Sequence, residues 1–115
     1  MAIQQNDINK SKAFTDGTVN KVTLVKTDVL TLDVYYYKAK QGIGYHKHPT
    51  GDQIFTVIAG SGTFKLDDGK EEVIQVGPGS VVVAPANVWH DLIDNGKGDL
   101  IAQQVTKQPA GMEKR

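Results

Sequence analysis

The chain has 115 residues, thirteen basic and thirteen acidic side chains that cancel at pH 7, three histidines and no cysteine. That length fits one compact domain with an ordinary buried core; the missing cysteines exclude disulfides and thiolate metal sites, leaving imidazole, carboxylate, amide or water as metal ligands. Neither sign of charge gathers into a block that would point to nucleic acid or an anionic membrane surface, and no apolar run approaches the ~20 residues of a membrane span.

Residues 1–20 are mixed polar without sustained periodicity and read as an N-terminal arm. Their start lacks both the charged opening and the apolar stretch of a secretory signal, so a cytoplasmic location is expected. From residue 21 the pattern turns β. Residues 21–27 and 30–38 are rich in β-branched and aromatic side chains and predict two strands. Residues 53–59 and 62–66 predict a hairpin across Gly60-Ser61, and Asp67-Asp68-Gly69-Lys70 turns the chain into a strand at 71–76. Gly77-Pro78-Gly79 forces a turn before 80–84, Pro85-Ala86-Asn87 breaks the chain before 88–93, and Asp94 to Gly98 turns it into 99–105. Residues 107–115, with Pro109 and Gly111, read as a frayed C-terminal tail. Short strands at roughly ten-residue intervals, with no helical periodicity, predict an all-β sandwich or barrel over residues 21–106 and no second domain.

Two of the histidines form His46-Lys47-His48. On an extended segment side chains alternate, so the two imidazoles share a face with Lys47 on the other. Their Cα atoms would lie roughly 6.5–7 Å apart, which lets both rings reach one ion with bonds of ~2.1 Å. An isolated pair of this kind reads first as a solvated surface alternation. The surroundings argue otherwise. The stretch Gly44-Tyr45-His46-Lys47-His48-Pro49-Thr50-Gly51-Asp52-Gln53 continues through Ile54 to Gly60, and Gly79-Ser80-Val81-Val82-Val83-Ala84-Pro85-Ala86-Asn87-Val88-Trp89-His90 follows. These two stretches resemble the two signatures of the cupin superfamily.

The resemblance implies a double-sheet jelly-roll β-barrel and one divalent transition metal ion, with His46, His48 and His90 at the places of the three metal-binding imidazoles and Gln53 at the place of the fourth ligand. The family usually has glutamate there. Glutamine offers a neutral carbonyl oxygen and so a weaker, more readily released bond. Asp52 is the competing carboxylate; strand alternation aims it away from Gln53's face unless a bulge intervenes. Asn87 replaces a family glycine, as asparagine can at a positive backbone dihedral. The alternative for His90 is a satisfied core histidine beside Trp89. Of Tyr35, Tyr36 and Tyr37, at most one should reach the cavity; Phe55 and Trp89 read as wall or core residues, and Lys70, Glu71 and Glu72 as a solvated hairpin.

Iron(II) or manganese is the favoured metal, with nickel, zinc, cobalt or copper as alternatives. Open coordination positions imply a small-molecule substrate or ligand, and the expected function is a dioxygenase-like reaction on a small chelating substrate. The alternatives are a non-catalytic ligand- or metal-sensing module and a metal-dependent sugar or keto-acid isomerase, since fold does not supply function. No catalytic residue can be assigned from the sequence. The apolar strands around Val22–Val25 and Leu30–Tyr37 exceed what a small barrel needs to fill itself, which predicts a homodimer.

Overall fold

The computed structural model describes residues 2–115 and contains, among them, ten strands and no helix. They are β1 (Asn20–Lys26), β2 (Leu30–Tyr37), β3 (His46–Lys47), β4 (Gln53–Ala59), β5 (Gly62–Asp67), β6 (Glu71–Val76), β7 (Val81–Ala84), β8 (Trp89–Asp94), β9 (Leu100–Lys107) and β10 (Glu113–Lys114). Two five-stranded antiparallel sheets, ordered β1-β2-β9-β4-β7 and β10-β3-β8-β5-β6, lie face to face as a double-sheet jelly roll. No helix among the described residues is long and apolar enough to cross a membrane.

The turns arise where the local chemistry demands them. Gly60 has φ +76°, and a Cβ there would stand 2.7 Å from Asp99 O and Leu100 Cα, so only glycine fits between β4 and β5. Asn87 sits at φ 64° and keeps the bend that the family builds with glycine. Between β8 and β9, Asp94 Oδ1 accepts from the amides of Lys40, Gly96 and Gly98, so one buried carboxylate organises that loop.

The interior is divided by polarity. Tyr37, Val57, Phe64, Leu92, Leu100 and Ala102 belong to an apolar core between the sheets. Toward the end that carries the histidines, the inward positions of the first sheet turn polar. Thr31, Thr106, Gln53 and Ala84 pair in one row across β2, β9, β4 and β7, and Asp33, Gln104 and Phe55 pair in the next. Asp33, Gln53, Gln104 and Thr106 are all buried. On β2 and β9 the usual alternation is therefore inverted at this end: polar residues face the interior, and Leu32, Val34, Ile101 and Val105 face outward.

The two flanking segments both pack. The arm crosses the outer face of β1 and β2, where Ile8 and Phe14 join a second cluster formed by Leu24, Val34, Tyr36 and Ile101. The Tyr36 hydroxyl donates to Ile8 O (2.6 Å), and Phe14 meets its ring edge-on at 5.7 Å. The tail departs from the frayed segment expected. Glu113 and Lys114 pair with Lys47 and His46 as β10, and Thr50 Oγ1 donates to Pro109 O (2.6 Å). Gly51 permits this approach, since a Cβ there would lie 2.6 Å from Ala110 Cβ. Trp89, expected in wall or core, is half-buried and lies on the outside of β8, with Lys47 Nζ 4.6 Å above its ring.

Candidate metal centre

β3 and β8 bring the three histidines together. His46 and His90 are direct cross-strand partners, and His48 follows one step beyond β3. The ring centroids are 4.3 Å apart for His46 and His90, 5.3 Å for His46 and His48, and 5.5 Å for His48 and His90. One ring nitrogen from each lies within 4.8 Å of the others, so the group can hold a single metal ion.

Each ring is oriented by a backbone carbonyl: His46 Nδ1 contacts Gly44 O (2.7 Å), His48 Nδ1 contacts Gly111 O (2.7 Å) and His90 Nδ1 contacts Val88 O (3.2 Å). A carbonyl can only accept, so Nδ1 carries the proton and Nε2 presents its lone pair. The Nε2 atoms of His48 and His90 are buried with no hydrogen-bond partner among the described residues. Burial, assisted by the neighbouring imidazoles, holds His46 below the ordinary imidazole value and brings His90 down to about 4. Both are neutral at pH 7, as metal ligation requires.

Gln53 is 2% exposed; its Nε2 donates to Thr106 Oγ1 (3.0 Å), and its Oε1 is buried and unpartnered among the described residues. The carbonyl oxygen is thus the free end of the amide. Asp52 is exposed and its Oδ1 accepts from Ala86 N (2.8 Å), which turns it away from the histidines. Three imidazole nitrogens form a donor set suited to a first-row divalent ion, and the orphaned buried Nε2 atoms of His48 and His90 fit such an occupant.

His48 also lines a cavity of about 170 Å³, together with Gln53, Thr106, Asp33, Tyr35 and Lys21. Of the three adjacent tyrosines, Tyr35 lines the cavity, Tyr37 belongs to the apolar core and Tyr36 faces the arm. Burial, with a smaller contribution from the Asp33 charge, raises the Tyr35 hydroxyl well above its ordinary value. Tyr35 therefore keeps its proton and is a donor, not a base. Asp33 is 5% exposed, accepts from Thr23 Oγ1 (2.6 Å), and is the one carboxylate on the cavity wall among the described residues.

Sequence reasoning passed over Asp33, Thr106 and the Gly111 carbonyl. The signal for the first two was the alternation Thr31-x-Asp33-x-Tyr35 and Gln104-x-Thr106, which looks like a solvent-facing edge. A backbone carbonyl has no sequence signal.

The family model described as "Cupin domain" matches residues 34–103. No curated protein matches the sequence. Among solved structures, an uncharacterized conserved protein with a double-stranded β-helix domain from Klebsiella pneumoniae superposes with a TM-score of 0.87 at 20% identity, covering 97% of this chain and 96% of that one. An RmlC-like cupin protein from Desulfovibrio desulfuricans gives 0.79 at 21% identity, covering 92% and 97%. An oxalate oxidase gives 0.75 at 18% identity over 87% of this chain and 56% of that one. With both histidine segments inside the matched region and the double-sheet fold shared along nearly the whole length, the chain belongs to the cupin family.

Proposed function

We propose that the chain is a metal-dependent, dioxygenase-like cupin that acts on a small chelating substrate. The observation that carries this reading is the convergence of three imidazoles, each fixed through Nδ1, with His48 on the wall of a small polar cavity. His46, His48 and His90 would hold the ion and Gln53 would complete the set. An iron(II) or manganese ion there supplies Lewis acidity and one-electron chemistry toward dioxygen.

The residues around the ion do the rest. The cavity is well under the ~300 Å³ at which drug-sized pockets begin, so it selects for a compact substrate. Tyr35 holds its proton where a substrate oxygen can accept it, and Asp33 is placed to take one from a substrate enol or hydroxyl. Gln53, tethered to Thr106 through Nε2, would offer the ion an uncharged and so weakly held carbonyl oxygen.

Two observations favour other readings. Asp33 as a base suits a metal-dependent isomerase of sugars or keto acids, and the missing glutamate suits a binding or sensing module. Oxygen uptake by metal-loaded protein across a panel of small enols, thiols and phenols separates them. Consumption of dioxygen with substrate supports the oxygenase, turnover without it the isomerase, and saturable binding without turnover the sensor.

We also take the protein to be cytoplasmic, to act without nucleic acid or membrane, and to pair as a homodimer. Leu32, Val105, Ile54 and Val83 form one apolar row across the outside of the first sheet, with Ile54 47% and Val83 51% exposed, and a second copy would cover it. Light scattering should give twice the chain mass, and Ile54→Lys should halve it.

A further inference from the structure

We infer that the C-terminal segment 109–115 is a strap that positions the metal ligand His48, and that Arg115 is its anchoring residue; this rests on reading the histidines as metal ligands. Three features of the segment converge on β3 and the cavity beside it.

The first is the ladder. β3 has two residues and pairs with β8 only through His46 and His90. β10 supplies its other neighbour, with Lys114 opposite His46 and Glu113 opposite Lys47, and Arg115 N adds a bond to Tyr45 O (3.2 Å). Without β10, β3 would be an edge strand carrying a metal ligand and leading directly into a second. The second feature is the direct bond from His48 Nδ1 to Gly111 O, made across 63 positions of sequence. It sets the tautomer and aim of the ring, whereas the backbone of His48, one step beyond β3, is held through its carbonyl by Asn87 N (2.9 Å). The third is the cavity, whose wall Ala110, Gly111 and Met112 complete beside His48. Withdrawal of the segment would therefore open the cavity and release His48 together.

Arg115 is what fastens the end. Its guanidinium pairs with Asp67 Oδ2 (2.7 Å) at the tip of β5 and lies 4.8 Å from the centroid of Tyr45 and 5.7 Å from that of Trp89. Lys47 completes the cluster, 3.4 Å from Glu113 and 4.6 Å above Trp89. A planar cation matched to a carboxylate and two rings is more constraining than a surface ion pair alone. Every contact lies on the outer face of the second sheet, so Arg115 acts on the ion only through the segment it holds.

The test uses full-length protein with Arg115→Ala, Arg115→Lys, and Asp16→Ala as a control that breaks the exposed Lys38–Asp16 pair elsewhere. Cobalt(II) affinity is read from its visible absorption, and the His48 tautomer of the metal-free protein from ring ¹⁵N shifts. Arg115→Ala should weaken cobalt binding by about tenfold or more, within the range seen when a partner of a ligating histidine is lost. Arg115→Lys should recover part of that, and Asp16→Ala should change nothing. The metal-free Arg115→Ala protein should lose the single Nδ1–H form of His48. An unchanged affinity with an unchanged tautomer overturns the strap. If wild-type protein takes up no cobalt, the metal reading fails by itself, and the tautomer comparison still decides whether Arg115 positions His48.

Discussion

The arm at residues 2–19 and the segment at 109–115 resemble each other in sequence, both polar and without periodicity, yet they do different work. The arm lays Ile8 and Phe14 on the outside of the first sheet, on the face away from the histidines. The C-terminal segment contributes little apolar surface but a strand, a carbonyl on His48 and part of the cavity wall. Absence of periodicity thus says only that a segment does not bury one continuous face. It says nothing of whether its backbone carries the contacts that matter. The arm should therefore govern stability and the tail should govern the ion.

The largest effect expected is at the site itself. His90→Ala removes the ring that both packs on His46 and meets it in the ladder, and metal binding should be lost outright in calorimetric titration. In wild-type protein, metal at 100 times Kd should add about 2.7 kcal/mol of stability, and His90→Ala should lose all of it in urea unfolding. Next comes the arm side. Tyr36 is 0% exposed between the sheet and the arm, so Tyr36→Ala should cost roughly 3–5 kcal/mol while the metal affinity of the folded protein stays at the wild-type value. A parallel loss of affinity would break the proposed division of labour.

Gln53→Glu sharpens the comparison from inside the barrel. The new carboxylate should tighten metal binding by about tenfold, near 1.4 kcal/mol. In the metal-free protein it is a carboxylate at a position only 2% exposed, so the unfolding midpoint should drop without metal and recover with it. The smallest change belongs to Tyr36→Phe, which removes the hydroxyl's bonds to Ile8 O and Ser11 Oγ while Ser11 Oγ still reaches Ile8 O (3.3 Å), and should cost about 1 kcal/mol with no effect at the metal.

The cluster of His46, His48 and His90 was legible because period-two alternation places His46 and His48 on one side, and because the two segments resemble the cupin signatures, which imply His90 as their companion. Asn87 was legible for the same reason, as a residue tolerant of positive φ. The strands of the main hairpins followed from β-branched runs between turn residues. What stayed hidden was of two kinds. β10 rests on a two-residue ladder and a charged, aromatic cluster assembled from Tyr45, Asp67, Trp89 and Arg115, residues that only the fold brings together. Asp33 stayed hidden because alternation identifies two faces but not which is inside. On β2 the apolar face that normally marks the core instead meets the arm, and the polar face lines the cavity. Trp89 misleads in the same way: a large aromatic beside a ligand looks like core, whereas its neighbour His90 occupies the inward position.

The most direct test of the central claim, that His46, His48 and His90 together hold one metal ion, is metal content by elemental mass spectrometry on tag-free wild-type protein beside His48→Ala and Gln53→Ala. The account predicts close to one equivalent of a divalent transition metal in wild type, loss of it in His48→Ala and partial retention in Gln53→Ala. Wild-type protein that stays metal-free after incubation with iron(II), manganese, nickel, zinc, cobalt and copper in turn would contradict it.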